Sequence, residues 1–375
     1  MIRQACLAAA LMLSCAAPAH AYDLWIGVAE PAGGVTPKGV YHATFDKVSG
    51  KPTKPRLVGE IAGAGFLATH PTLPVLYSTG GVEGEPSVVA WRIDADGQTG
   101  LARLNDQPTG DGGSCHLSVD ATGQALMSAH YGGGSVAAFP LGEDGAIGPR
   151  ASVVEHQGHS GVNAARQEAP HPHWIGPSPD NRFALAPDLG KDRVLIYRLD
   201  AASATLTPHG EGVTPPGGGP RHLAWRPDGR FAYVVDELPN RLSAYAWDAE
   251  AGRLELIDTQ PMMSDAETAA EPPAKSSEVA MHPTGNFVYA AVRGYDRICV
   301  FAIDKESGTL TRVEREPVRG AWPRHFGVSP CGGWLVAAGR DSNTLSVFAI
   351  DQQTGSLRYT LESVSTPRPI CVLIR

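Results

Sequence analysis

The chain repeats one sentence several times. Residues 222–248, 278–304 and 325–351 each run through an apolar segment, a tight turn, a second apolar segment, a polar loop and a third apolar segment ending on aspartate. Residues 116–141 and 173–200 follow the same order. Self-similarity at a period of roughly 50 residues excludes most folds at once, because each copy must be one supersecondary unit that stacks on its neighbours. Within a unit, a strand at Leu223 to Trp225 leads into the turn at Pro227. Strands around Val234 and Ala244 follow, and a weaker fourth strand lies around Leu256. Four antiparallel strands per repeat make a β-propeller blade. A lone blade cannot cover both of its faces, so the blades must close into a ring.

Counting with this template gives blades at 66–106, 115–155, 173–208, 221–259, 277–316 and 324–362. The remaining pieces are 23–61, with three strands, and 368–375, with one. Together they make a seventh blade, in which the C-terminal strand supplies the innermost position and removes the open edges. The expectation is an all-β, seven-bladed β-propeller spanning residues 22–375 as a single domain. Insertions at 157–169 and 261–275 lengthen the approaches to two blades, and long loops in a compact fold are usually functional or mobile.

Residues 1–21 are a separate object. Arg3, an apolar run over 5–17 and the small-residue site at Ala19 and Ala21 read as a cleaved secretory signal peptide, too short to span a membrane. Lipidation at Cys15 is the weaker alternative. The expected location is therefore periplasmic or secreted, with no membrane span, and the mature chain is expected to be a monomer. With a net charge of −8 and 19% charged residues, nothing electrostatic favours nucleic acid as a partner. Cys115, Cys299, Cys331 and Cys371 are scattered without a CxxC pair, which favours free or buried thiols over disulfides or a metal site.

Aligning the blades separates two kinds of position. Asp192, Asn240, Asp296 and Asn343 recur in the loop after the second strand, which suits a small polar residue satisfying the same turn each time. The neighbouring column varies from blade to blade: Tyr131, Leu189, Glu237, Arg293 and Arg340. At the start of the first strand, one column holds Cys115, His173, Arg221, Ser277 and Arg324. The next holds His116, Trp174, His222, Glu278 and His325. In an up-and-down blade, the start of strand one and the loop after strand two lie on the same face of the disc. His171, His173, Arg221, His222, Glu237, Glu278, Arg293, Arg324, His325 and Arg340 are therefore expected around one mouth of the axial channel. Such a cluster suits a small anionic or carbonyl-bearing ligand.

Several motifs resemble those of the seven-bladed propeller lactonase family, which includes propeller-type 6-phosphogluconolactonases and a carboxy-muconate lactonising enzyme. They are the stretches 166–173, 188–192, 219–222, 236–238, 293–294, 323–326 and 131–136. The resemblance implies that His173, Arg221, Glu237 and Arg293 carry catalysis. His171, His222, Glu278, Arg324, His325 and Arg340 complete the expected substrate site. Asp236 stands where the family pattern has asparagine.

Lactone hydrolysis needs an activated water, a stabilised oxyanion and a protonated leaving oxygen. Glu237 or His173 is the candidate base, and Arg221 or Arg293 the oxyanion partner. No G-x-S-x-G elbow is present, which argues against a serine hydrolase. No cofactor and no metal ligands are assigned, because neighbouring arginines oppose a cation. Three functions fit: hydrolysis of a small sugar lactone, a muconate-type cycloisomerisation in which the arginines hold carboxylates, and a propeller used only for binding.

Overall fold

The computed structural model describes residues 21–29, 38–94, 100–270 and 273–375. The expected signal segment lies outside these residues except for Ala21. Seven four-stranded antiparallel sheets form the ring. Blade 1 combines Pro369–Ile374 with Ala21–Val28, Gly39–Asp46 and Arg56–Glu60. Blades 2 to 7 follow in chain order at 67–108, 116–155, 176–213, 220–261, 275–317 and 323–365. The expected closure is present. The C-terminal strand is innermost in blade 1 and pairs with the first strand, Leu24 opposite Ile374.

The core lies between blades rather than in one centre. Buried clusters occupy successive interfaces, for example Tyr233, Phe301 and Leu310 between blades 5 and 6, and Tyr289, Phe326 and Phe348 between blades 6 and 7. The interface of blades 7 and 1, with Ile26, Phe45 and Val336, seals the ring. A repeated latch fixes blade to blade. The hydroxyls of Tyr233 and Tyr289 donate to the carbonyls of Gly308 and Gly355 in the next blade. Those glycines have φ of +74°, and a Cβ on either would lie about 2.5 Å from a phenylalanine ring of the preceding blade. Only glycine satisfies both demands.

The recurring loop residues are structural, as expected. Asp192, Asn240, Asp296 and Asn343 all have φ between +53° and +55°. Each side chain also ties its loop to the approach to the next blade. Asp296 accepts from the backbone of Trp322, and Asn240 donates to the carbonyl of Ala274. Among the described residues the four cysteines are free thiols, with Cys299 and Cys371 buried.

Candidate active site at one mouth of the axial channel

β-Bulges set the site. The innermost strands of blades 5, 6 and 7 shift register between Pro220 and Leu223, Ser276 and Val279, and Pro323 and His325. The extra residue re-aims the side chains at the start of each strand. As a result both members of Arg221/His222 and of Arg324/His325, together with Glu278, line axial spaces, where strict alternation would send one of each pair away, whereas the Ser277 hydroxyl donates to the carbonyl of Pro323 in the next blade. The axial residues form two stacked layers.

The upper layer gathers the four residues of the expected catalytic set. Glu237 is its centre. One carboxylate oxygen accepts from Arg166 at 2.7 Å, and the other faces Arg293 at 2.8 Å and Arg221 at 3.2 Å. Burial pushes the Glu237 carboxyl up, but Arg293, Arg221, His173 and Arg166 together hold it well below the usual carboxylate range. Arg221 and Arg293 are fixed in turn by the carbonyls of Ser277 and Ser276. Arg324 is different. Among the described residues its guanidinium has no hydrogen bond or ion pair. Burial, with Arg293 and Arg340 nearby, presses its pKa down to about 10. Three guanidinium groups therefore share one carboxylate, and a fourth, that of Arg324, stands nearby without a direct partner.

His173 stands beside them. Its Nδ1 is 3.8 Å from the Cys115 sulfur, and its ring meets Tyr131 and His222 edge-on at 5.1 and 5.3 Å. Among the described residues its Nε2 has no partner. Burial first, then Arg221, keeps the imidazole neutral well below its usual range, against the pull of Glu237. The peptide carrying it is pinned by Asp188, which accepts from the backbone N–H groups of His171, Gly190 and Lys191. Asp188 is itself held by His156 at 2.5 Å.

The remaining expected ligand-binding residues divide. His171 stacks on Tyr131 at 4.4 Å, and both ring nitrogens are occupied, by the carbonyl of Tyr131 and by Glu168. Arg340 turns to the rim, pairs with Asp341 and covers Trp322. His222, Glu278 and His325 form the lower layer. Glu278 accepts from His222 at 3.0 Å and His325 at 3.2 Å, while His325 Nδ1 takes the backbone N–H of Val372. With Phe66 and His116 these rings block the axis. Only His222 lines the small cavity above the block; Glu278 and His325 line the chamber that opens on the opposite face.

Arg166 and Tyr131 belong to the cluster although neither was in the expected site set. Arg166 also donates to the Tyr131 hydroxyl at 3.2 Å. Its loop is the insertion at 157–169, anchored where Gln167 donates to Asp192. The insertion and the blade-to-blade variation at Tyr131 were the available signals. Above the block, a cavity of about 120 Å³ is lined by Arg221, Arg324, His222, Cys115, Ser114 and Phe66, among others. Among the described residues, two of its lining residues carry a buried side-chain atom with neither a hydrogen bond nor an ion pair, Ser114 Oγ and His222 Nε2, whereas Arg221 Nε is paired with Glu237. Buried polar atoms are almost always satisfied. Two exceptions around one cavity mark a place for a polar guest.

Residues 24–374 match the family described as lactonase, seven-bladed β-propeller. The chain belongs to that family. It is 34% identical to the 6-phosphogluconolactonase of Bacillus subtilis (strain 168), over 89% of this chain and 94% of the relative. The 6-phosphogluconolactonase of Serratia proteamaculans (strain 568) is 31% identical over 70% of this chain and 73% of its own length. The solved structure of the periplasmic gluconolactonase of Pseudomonas aeruginosa superposes with a TM-score of 0.86 at 30% identity, covering 94% of this chain and 99% of that one. The propeller is thus a lactonase. Among the described residues no helix is long and apolar enough to cross a membrane.

Proposed function

We propose that this lactonase is exported and hydrolyses an aldonolactone, an unphosphorylated sugar lactone of the kind that sugar oxidation outside the cytoplasm produces. The observation that carries the reading is the uncommitted guanidinium of Arg324, placed with Arg221 on a cavity beside the neutral imidazole of His173. The signal-type N-terminus and the likeness to a periplasmic gluconolactonase support the location.

Of the two candidate bases, His173 fits the role. Both Glu237 oxygens are taken by arginines and its proton affinity is suppressed, so Glu237 serves as the anchor that positions Arg166, Arg221 and Arg293. His173 Nε2 takes a proton from water as the water oxygen attacks the lactone carbonyl. Arg324 and Arg221 stabilise the tetrahedral oxyanion. The ring C–O bond then breaks, the departing oxygen takes the proton from the imidazolium, and the products are the open hydroxy-acid and the original enzyme. Formation of negative charge beside the arginines raises the basicity of His173 at the moment it is needed.

The test is proton release from glucono-1,5-lactone in a pH-stat with the signal-free protein. Rates above the spontaneous reaction, lost in His173→Gln, support the reading. Turnover of a muconate but no lactone would replace it with cycloisomerisation.

A further inference from the structure

The mouth is lopsided. On the side of blades 4 to 7 it is walled by guanidinium groups and one carboxylate. On the side of blades 2 and 3 it opens into a trough of about 410 Å³, larger than the axial cavity and within the size range of ligand pockets. Gly63, Thr79 and Ser114 line both spaces, so the two adjoin across these residues. The rest of the trough is Ala62, Gly80, Gly81, Gly84, Pro86 and Gly113, with Glu85 as its single charged residue. Its surface is therefore largely backbone, which glycine lets a guest approach closely. The buried, partnerless Ser114 hydroxyl sits at the junction, and the partnerless His222 Nε2 faces the axial end.

We propose that this trough is a second sugar subsite, and that the substrate is an aldonolactone carrying a neutral glycosyl substituent. This rests on the lactonase reading above. The reacting carbonyl belongs on the arginine side, so the remainder of the substrate projects across Ser114 into the trough. A floor of peptide groups without cations suits hydroxyls and offers nothing to a phosphate, and Glu85 disfavours an anionic extension. A monosaccharide lactone held at the arginines leaves the trough to water. A disaccharide lactone, formed by oxidation of the reducing end of a disaccharide, fills it.

Gly81 allows a clean test. Its φ is not in the left-handed region, and an added Cβ meets only Ala62 atoms at 3.9 Å, so a large side chain there enters open space. The experiment compares kcat/KM for maltobiono-1,5-lactone and glucono-1,5-lactone in the wild type, Gly81→Trp and, from its bridge partner on the same wall, Ala62→Phe. Calorimetric binding of the products maltobionate and gluconate runs in parallel. The wild type is expected to favour the disaccharide by about tenfold or more in both measurements. Either variant is expected to abolish that preference while keeping glucono-1,5-lactone turnover within about twofold, which also reports correct folding. Equal handling of the two sugars by the wild type, or a preference that survives both variants, overturns the subsite. Because product binding reads the trough without catalysis, absence of all lactone turnover would sink the hydrolytic reading and leave the binding comparison to decide the subsite.

Discussion

Replacing Glu237 by glutamine separates two roles that both predict lost activity. In the structure the Glu237 side chain is 3% exposed and faces Arg166, Arg221 and Arg293 within 3.2 Å. The amide is nearly isosteric, but it removes the one carboxylate of a buried cluster that also contains Arg324. Removing one partner of a buried ion pair costs about 3–5 kcal/mol, because the surviving charges stay buried. With an unfolding entropy of about 2 cal/mol/K per residue, a chain of this length loses roughly 5 °C in Tm. Displaced arginines also cost about 100- to 1,000-fold in kcat. The pH dependence has a definite sign. The folded-state carboxyl is depressed, so its stabilisation is complete above the unfolded value of about 4.3 and fades as pH falls toward the folded value. Urea unfolding of wild type and Glu237→Gln should therefore differ by the full amount at pH 7 and by less near pH 3. If Glu237 is instead the base, the variant loses kcat with its stability intact, and the anchor account is refuted.

Three other perturbations follow from the same geometry. Arg324→Met removes a half-buried cation that makes no direct hydrogen bond or ion pair among the described residues, so kcat on the lactone falls about 100-fold or more while Tm stays level or rises; a clear fall in Tm would show a hidden partner. Asp192→Ala loses the bonds from Ser160, Gln167, Gly217 and Gly219 and leaves a non-glycine residue at φ +54°, so urea unfolding should report a loss on the order of 3–5 kcal/mol. Because His173 stays neutral well below its usual range, kcat/KM should hold its plateau from pH 7 into mild acid and fall only as His173 protonates; a midpoint near 6.5 in the free enzyme would contradict its burial among arginines.

The blade count, the ring closure and the structural role of Asp192 and its counterparts were legible because each depends on a local pattern repeated in sequence. Glu237, Arg221, Arg293 and His173 were legible together because topology alone puts their columns on one face. What the pattern hid depends on geometry that does not repeat. The bulges at the starts of three innermost strands break the period of two, so the two layers, and the depth of Glu278 and His325, could not be read from alternation. Arg166 reaches the site only because Gln167 bonds Asp192 across 25 residues. The fourth blade's first strand shrinks to Gly176–Pro177 rather than beginning at His173. Pro170, Pro172 and Pro177 lack the donors a ladder needs, and in the freed segment the backbone N–H of His171 donates to Asp188 and that of His173 to the carbonyl of Pro187. In the second insertion Ser264 caps a short helix, Asp265–Thr268, with Glu267 completing the box; that reciprocal pairing was present in the sequence and had no apolar periodicity beside it to mark it.

The most direct measurement is proton release from a sugar lactone by wild type, His173→Gln and Glu237→Gln, with Tm taken on the same samples. The account predicts that His173→Gln loses turnover at unchanged Tm, whereas Glu237→Gln loses both. Retained turnover in His173→Gln, or lost turnover at full stability in Glu237→Gln, would contradict it.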